Sequence, residues 1–242
     1  MEADFKEYIS AGYFLTTRVT RPPFVSPELM PPELISLSSC INDFFPGIWN
    51  LEWCGVAEDE RARIGRVFGM TTEQQALAMS ALDDGLDVEF GWESVIFDLA
   101  TARSFRQRFL PSESSPVLIG AALHRDLVEE FLEVGTPPPP KPGFSPEGAH
   151  GTVHALRKGA APASGAKVLG FEPMAFDRGL TCSWLCNGLE KLCFDRLGVA
   201  PNSNGFIDSA PDAKRCVELI ESDEVGAEPG LWLPWLLLEY PC

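Results

Sequence analysis

LWLPWLLL, residues Leu231–Leu238, is the stretch that decides the fold of this chain. A run that is apolar on both faces is typical of a strand buried inside a sheet. Pro234 has no backbone N–H, so we expect it at an edge, at a strand end or at a bulge. The run is too short to cross a bilayer, which needs about 20 residues. The sequence therefore predicts a buried strand after the turn Glu228-Pro229-Gly230.

Other strands and helices are mixed along the chain without strict alternation. Aromatic and β-branched residues predict strands at 13–20, 92–97, 116–123 and 167–176. Capping residues and apolar spacing predict helices at 31–45, 58–68, 72–84, 99–110, 126–134 and 181–197, and one that follows Ser209 and buries Ala213, Cys216, Val217 and Ile220. This order predicts an α+β fold: a mixed sheet with helices packed on it, in one large domain or two closely packed halves.

Proline and glycine divide the chain near its middle. Residues 136–146, TPPPPKPGFSP, should run as extended polyproline II, and a second loose stretch covers 159–165. We therefore expect an acidic α+β half at 1–135, a Pro/Gly-rich linker or strap at 136–165, and an α+β half at 166–242. The strap also permits a regulatory adaptor that recruits a proline-recognising partner through the PxxP pair Pro137 and Pro140.

Acidic residues outnumber basic ones by 35 to 19, which gives a net charge of −16 and a pI of about 4.5. A chain with this charge repels nucleic acid and anionic membranes and attracts basic partners. The alternative is that the acidity only keeps the protein in solution. The first residues, MEADFKE, lack the apolar core of a secretory signal, so we expect a cytoplasmic protein.

Two groups of carboxylates are candidate binding residues for a basic partner. The first, called the acidic stripe here, occupies one helix face at i, i+3, i+4 and i+7: Asp126, Glu129, Glu130 and Glu133. Like charges at this spacing destabilise a helix by a few tenths of a kcal/mol per pair, so a binding role would explain them. The second surrounds a helix end: Asp83, Asp84, Asp87 and Glu89. The alternative for either group is an ordinary solvated face.

Signals for catalysis are weak. The chain has no nucleophile elbow, phosphate loop or dinucleotide fingerprint. His150 and His154 have helical ligand spacing, but the neighbouring glycines predict a loop there, so we expect no metal site and no cofactor. Cys182 could be a nucleophile with His154 or His124 as its base, which makes a cysteine enzyme the second hypothesis. The competing prediction buries Cys182, Cys186 and Cys193 on one apolar face of a helix.

Short motifs of the carboxyl-terminal half resemble those of uncharacterised bacterial proteins associated with immunity proteins of polymorphic and contact-delivered toxins. The resemblance covers residues 165–241 and rests on Gly170-Phe171-Glu172, Ser183–Glu190, Pro201-Asn202, Gly205-Phe206-Ile207 and Glu228–Trp235. It implies a small cytosolic α+β protein that binds and blocks a cognate toxin, often through acidic residues placed in a basic catalytic cleft. It identifies no binding residues in this chain, so the acidic groups come from the spacing alone.

These observations together predict a non-enzymatic protein with no catalytic residues. Its expected partner is a basic protein, such as a toxin that acts on nucleic acid or on a nucleotide, and neither nucleic acid nor a membrane is expected to bind. Charge complementarity would speed the association with such a partner.

Overall fold

The apolar run at 231–238 lies in a central strand of a six-stranded sheet. The computed structural model describes residues 5–38, 40–45, 58–83, 95–111, 116–135, 151–177, 180–222, 225, 227 and 229–241. The sheet has the order β4-β1-β5-β8-β6-β7, and all of its described pairs are antiparallel. Its strands are β1 (Tyr8–Thr16), β4 (Phe44–Phe45), β5 (Val117–His124), β6 (Lys167–Asp177), β7 (Leu180–Ser183) and β8 (Leu231–Tyr240). A separate hairpin pairs β2 (Val19–Thr20) with β3 (Glu33–Leu34).

Helices cover both faces of this sheet. They are α1 (Glu58–Val67), α2 (Thr72–Asp83), α3 (Leu99–Phe109), α4 (Arg125–Gly135), α5 (Gly151–Lys158), α6 (Leu189–Leu197) and α7 (Ala210–Ile220). The α+β class is therefore confirmed. Strands from both sides of residues 136–165 share the one sheet, with β1, β4 and β5 before that segment and β6, β7 and β8 after it. No helix in the described ranges is both long and apolar enough to cross a membrane.

The two faces of β8 meet two different apolar layers, which explains why the whole strand is apolar. Side chains of one parity pack in a layer with α3, α6 and α7: Trp232, Leu236, Leu238 and Tyr240. Side chains of the other parity pack with α4 and α5: Leu233, Trp235 and Leu237. Because a strand alternates its side chains between the faces of a sheet, only an apolar residue at nearly every position satisfies both layers.

Pro234 is accommodated by its position in the pairing pattern. Pro234 lies opposite Pro173 of β6. Phe171, two residues before Pro173 on the same strand, directs its N–H away from β8, to the carbonyl of Ile207. Residues two apart along an antiparallel pair repeat the same pattern, so the two prolines oppose each other where neither nitrogen faces the partner strand. The described pairing of β8 with β5 covers only residues 236–240, so Pro234 lies outside it.

Local capping signals define two helix starts as predicted. Thr71 and Gln74 form a reciprocal capping box at α2, with N–H···O distances of 2.7 and 3.2 Å. The Ser209 hydroxyl accepts a hydrogen bond from the N–H of Asp212 at 3.2 Å and caps α7. The predicted inner face of α7 is confirmed: Ala213, Cys216, Val217 and Ile220 are all buried.

The helix predicted at 31–45 is wrong. The segment contains β3 and β4, joined by a turn in which Asn42 accepts from the N–H of Ser36 and donates to the carbonyl of Thr17. Side-chain amides and hydroxyls compete with the helical hydrogen bonds of the backbone, and in this segment their bonds to backbone groups replace the helix. The strand predicted at 13–20 is divided between two strands: residues 13–16 belong to β1, which begins at Tyr8, and Val19–Thr20 form β2. Of the strand predicted at 92–97, the structure describes 95–97, where Ile96 makes an isolated bridge to Tyr13.

The single helix predicted at 181–197 is also wrong. The segment is β7, then a 3₁₀ turn at Trp184–Asn187, then α6. Gly188 separates the last two in the left-handed region, with a φ of 67°. Cys182, Cys186 and Cys193 therefore lie on three different elements and share no helical face. The β pairing with β6 supplies backbone hydrogen bonds that a local helix would otherwise provide.

The loop predicted around His154 is wrong as well. Residues 151–158 form α5, which packs against β1 through the buried side chains of Val153 and Leu156. Helical stability in proteins comes mainly from packing an apolar face, and this contact outweighs the low helix propensity of the neighbouring glycines. His150 and residues 136–149 of the predicted strap lie outside the described residues.

Candidate functional site

The acidic stripe lies on α4, and the sequence explains both faces of this helix. Phe131 is fully buried, and its ring packs against Phe176 at 4.7 Å and Trp235 at 5.3 Å between centroids. The start of the helix is held next to the beginning of β1, because the N–H of Arg125 donates to the carbonyl of Glu7, the residue before that strand, at 2.8 Å. The imidazole Nδ1 of His124 accepts from the N–H of Asp126 at 3.3 Å. His124 therefore caps α4.

All four carboxylates of the stripe are exposed to solvent on the outer face of α4. The Asp126 carboxylate lies 3.6 Å from His124 Nδ1. The side-chain carboxylates of Glu129, Glu130 and Glu133 form no hydrogen bond or ion pair with any residue that the structure describes. The last turn of α4 has no basic residue, so Glu133 also lies at the unfavourable end of the helix dipole. Three carboxylates of the stripe are thus solvated charges without a described partner, whereas Asp126 lies beside His124 in the first turn of α4, where the helix dipole favours an acid.

The acidic surface continues beyond α4. Burial and the negative charge of Glu130 both raise the pKa of Glu221, which follows the carboxyl end of α7. Val134 belongs to the same surface and is 58% exposed, among the larger values for apolar side chains of the described residues. One exposed valine beside carboxylates is ordinary on a protein surface, so Val134 adds an apolar contact point to this acidic surface without identifying it as an interface.

A groove runs between α4, the carboxyl end of α5 and the start of β1. Its volume is about 440 Å³, and apolar side chains form its floor: Ile9, Val128, Leu132 and Leu156. Glu129 and Glu133 line the rim, together with Arg125, whose guanidinium donates to the carbonyl of Lys6 at 3.2 Å. Two of the four stripe carboxylates therefore stand beside an open apolar depression.

The second acidic group is mostly outside the described part of the chain. Asp83 is the last residue of α2, as the sequence predicted for a helix end. Asp84, Asp87 and Glu89 lie outside the described residues, so their placement relative to the stripe stays a prediction.

The residues of the cysteine-enzyme hypothesis are separated. Cys182 is half-buried against the layer of α6 and α7, whereas His154 is exposed on α5, which covers the opposite face of the sheet. His124 ends β5, and three strand spacings, about 14 Å, separate β5 from the β7 strand of Cys182. The described structure thus brings neither histidine to Cys182.

A buried carboxylate is the polar centre that sequence reasoning missed. Glu172 of β6 is fully buried, and its Oε1 accepts from the hydroxyls of Ser36 and Ser183, each at 2.6 Å. Its Oε2 accepts from the N–H of Leu37 at 3.2 Å. Burial raises its pKa to about 6, although the three hydrogen bonds oppose the shift. A glutamate inside an otherwise apolar strand was the signal that could have revealed it.

The Glu172 network fastens the 35–42 turn to β6 and to the 3₁₀ turn. The Ser38 hydroxyl lies 3.5 Å from the sulfur of Cys186, and the Ser183 hydroxyl accepts from the N–H of Leu185 at 3.1 Å. Burial raises the pKa of Cys186 to about 11, so this thiol is protonated at neutral pH. The thiolate is the nucleophilic form of cysteine, so the raised pKa makes Cys186 a weak nucleophile at neutral pH.

Metal ligands do not cluster in the described part of the chain. Within it, no group of three or more histidine, cysteine, aspartate or glutamate side chains could hold a metal ion. Comparison of the chain with protein-family models, with curated proteins and with solved structures found no match.

Proposed function

We propose that this protein is a non-enzymatic binding protein whose acidic stripe on α4 docks against a basic protein. The observation that carries the proposal is the set of exposed carboxylates at Asp126, Glu129, Glu130 and Glu133, three of which lack a charged partner among the described residues. Uncompensated like charges cost helix stability, and a cationic partner would remove that cost. The net charge of −16 adds a long-range electrostatic attraction for the same cationic partner.

The partner class that suits this surface is a toxin with a basic catalytic cleft, as the resemblance to immunity proteins implies. Such a cleft carries lysine and arginine because it holds nucleic acid or a nucleotide. A protein that covers it with carboxylates blocks the substrate by occupying its charges, and it needs no chemistry of its own. Charged residues accelerate the encounter, and exposed apolar residues such as Val134 slow the release.

The test uses the protein encoded by the neighbouring gene as the candidate partner. Association and dissociation rates are measured by surface plasmon resonance at low and high salt, for the wild type and for the triple variant E129K/E130K/E133K. We expect the association rate at low salt to fall by about tenfold or more, with a weaker salt dependence, because steering depends on these charges.

The matched control changes the same amount of charge elsewhere. Glu33, Glu73 and Glu218 are exposed and lie on β3, α2 and α7, so E33K/E73K/E218K has the same net charge as the first variant. Circular dichroism verifies that both variants are folded. Equal loss in both variants would show that net charge alone acts, and unchanged kinetics in the stripe variant would remove α4 from the interface.

Two other functions are kept as alternatives to be tested beside it. A cysteine enzyme requires a reactive Cys182, which alkylation of the native protein with iodoacetamide would detect. An adaptor requires the proline strap, and it predicts that deletion of residues 137–142 abolishes partner binding while the α4 variant retains it.

A further inference from the structure

The turn at residues 35–42 connects strands from opposite ends of the sheet. At one end it is held to β6, where the hydroxyl of Ser36 donates to Oε1 of Glu172 at 2.6 Å. At the other end, the side-chain amide of Asn42 donates to the carbonyl of Thr17, the residue after β1, at 2.7 Å. In the strand order, β4 and β1 lie at one end and β6 and β7 at the other. The turn therefore joins two parts of the fold that the sheet itself keeps apart.

Two cysteines meet where this turn reaches the 3₁₀ turn that follows β7. The Ser38 hydroxyl accepts from the N–H of Cys40 at 3.3 Å and lies 3.5 Å from the sulfur of Cys186, so both cysteines contact the same oxygen atom. The backbone fixes this arrangement, because the carbonyl of Ser38 also accepts from the N–H groups of Ile41 and Asn42 at 3.0 and 2.9 Å. Burial raises the pKa of Cys186 to about 11, and the neighbouring Cys40 thiol adds to the rise, which requires the two side chains to be close together.

The two thiols differ in their access to solvent. Cys40 is exposed, whereas Cys186 is half-buried. A small disulfide in solution can reach the Cys40 sulfur, and Cys186 is placed to attack the resulting mixed disulfide from the protein side. A second thiol pair offers a comparison, since Cys193 of α6 and Cys216 of α7 also interact but are both buried. That second pair has no exposed member at which an exchange could begin.

We propose that Cys40 and Cys186 form a thiol–disulfide exchange site, which takes a low-molecular-weight disulfide and closes to a disulfide between the two residues. In the first step the Cys40 thiolate attacks one sulfur of the small disulfide, and the other sulfur leaves as a thiolate. In the second step Cys186, as its thiolate, attacks the Cys40 sulfur and releases the second small thiolate. Two electrons and two protons thus pass from the protein to the small disulfide, which becomes two thiols.

The surroundings of Cys186 favour the second step, although its raised pKa makes it a weak nucleophile. The Ser38 hydroxyl lowers the pKa of Cys186 against the effect of burial, so it stabilises the thiolate as it forms. The attack is also intramolecular, which gives the thiol a high effective concentration. The product joins the 35–42 turn covalently to the 3₁₀ turn and closes a ring of more than half of the chain. A cross-link that closes a long loop restricts the unfolded state, so oxidation should stabilise the fold.

Oxidised glutathione is the probe, and the full chain is used. Reduced protein is incubated with excess probe, the remaining thiols are blocked with N-ethylmaleimide under denaturing conditions, and disulfide-linked peptides are identified by mass spectrometry. We expect glutathione on Cys40 first, followed by its replacement with the link to Cys186. In C186S the glutathione should stay on Cys40, at a final level about tenfold or more above that of the wild type. In C40S, Cys186 should react about tenfold or more slowly than Cys40 does in the wild type.

Cys182 supplies the matched control, because it is also half-buried and lies on β7, directly before the 3₁₀ turn. C182S should form the link at the wild-type rate. Circular dichroism verifies that the three variants are folded, and the mapping of the wild type depends on no variant. Urea unfolding then measures the consequence: the midpoint of the linked wild type should lie about 1 M or more above that of the reduced protein, whereas glutathione-modified C186S should show no such rise.

The outcomes that contradict the exchange site are distinct from one another. Glutathione that stays on Cys40 of the wild type, the absence of any reaction at Cys40, or a link from Cys40 to another cysteine would each overturn it. A link that forms without raising the urea midpoint would overturn its stabilising role. None of these results depends on the acidic stripe or on its partner, so the exchange site and the proposed function are tested separately.

Discussion

Replacement of Glu172 by glutamine tests the energetics of the buried network. This carboxylate is fully buried, and burial raises its pKa from an ordinary 4.5 to about 6 in the folded protein. An acid whose pKa is raised by folding binds its proton more tightly in the native state than in the unfolded chain. Its contribution to stability is therefore complete below pH 4.5 and is lost as the pH rises through 6.

The size of the effect follows from the two pKa values. A rise from 4.5 to about 6 corresponds to about 2 kcal/mol of unfolding free energy. By linkage, about 1 kcal/mol of this loss falls between pH 5 and pH 7.5, a range that lies above the pI of about 4.5. A glutamine side chain does not titrate, so the Glu172→Gln variant lacks this component while the other titrating groups are retained.

Urea unfolding of both proteins across this pH range gives the measurement. The unfolding free energy of the wild type, minus that of Glu172→Gln, should fall by about 1 kcal/mol from pH 5 to pH 7.5. The difference cancels the other groups, and a fixed loss from altered hydrogen bonds to Ser36 and Ser183 shifts it without changing its slope. A flat difference, or one that rises with pH, would show that the hydrogen bonds outweigh burial and would refute the reasoning.

Three further predictions concern local structure. Gly170→Ala should lower the unfolding free energy in urea by about 2 kcal/mol or more, because Gly170 has a φ of +131° and a Cβ there would lie 2.7 Å from the carbonyl oxygen of Ile207. The control Gly188→Ala should cost only about 1 kcal/mol, because Gly188 has a φ of +67° and open space around its Cβ position. Ser209→Ala should cost about 1 kcal/mol of stability and Ser209→Asp should restore most of it, since the hydroxyl caps α7. Iodoacetamide followed by mass spectrometry should label exposed Cys40 in the native protein and buried Cys193 only after unfolding; labelling of both at one rate would contradict the core packing.

The candidate site was half visible in the sequence. The spacing of Glu129 and Glu133 on a helix, with Phe131 on its inner face, is a local property and was predictable. The groove beside them was not, because its other wall is Leu156 of α5, whose helix was predicted as a loop. Its formation depends on packing against β1, which lies far away in the chain.

The sequence by itself determined the elements whose signals are local: the buried strand at 231–238, the capped starts of α2 and α7, and the acidic face of α4. Only the tertiary structure decided the strand order, the division of 181–197 into strand, turn and helix, and the burial of Glu172. The physical reason is that backbone hydrogen bonds can be satisfied by distant partners as well as by near ones. The pairing of β7 with β6 and the hydrogen bond from Ser36 to Glu172 are two places where partners distant in the sequence determine the structure.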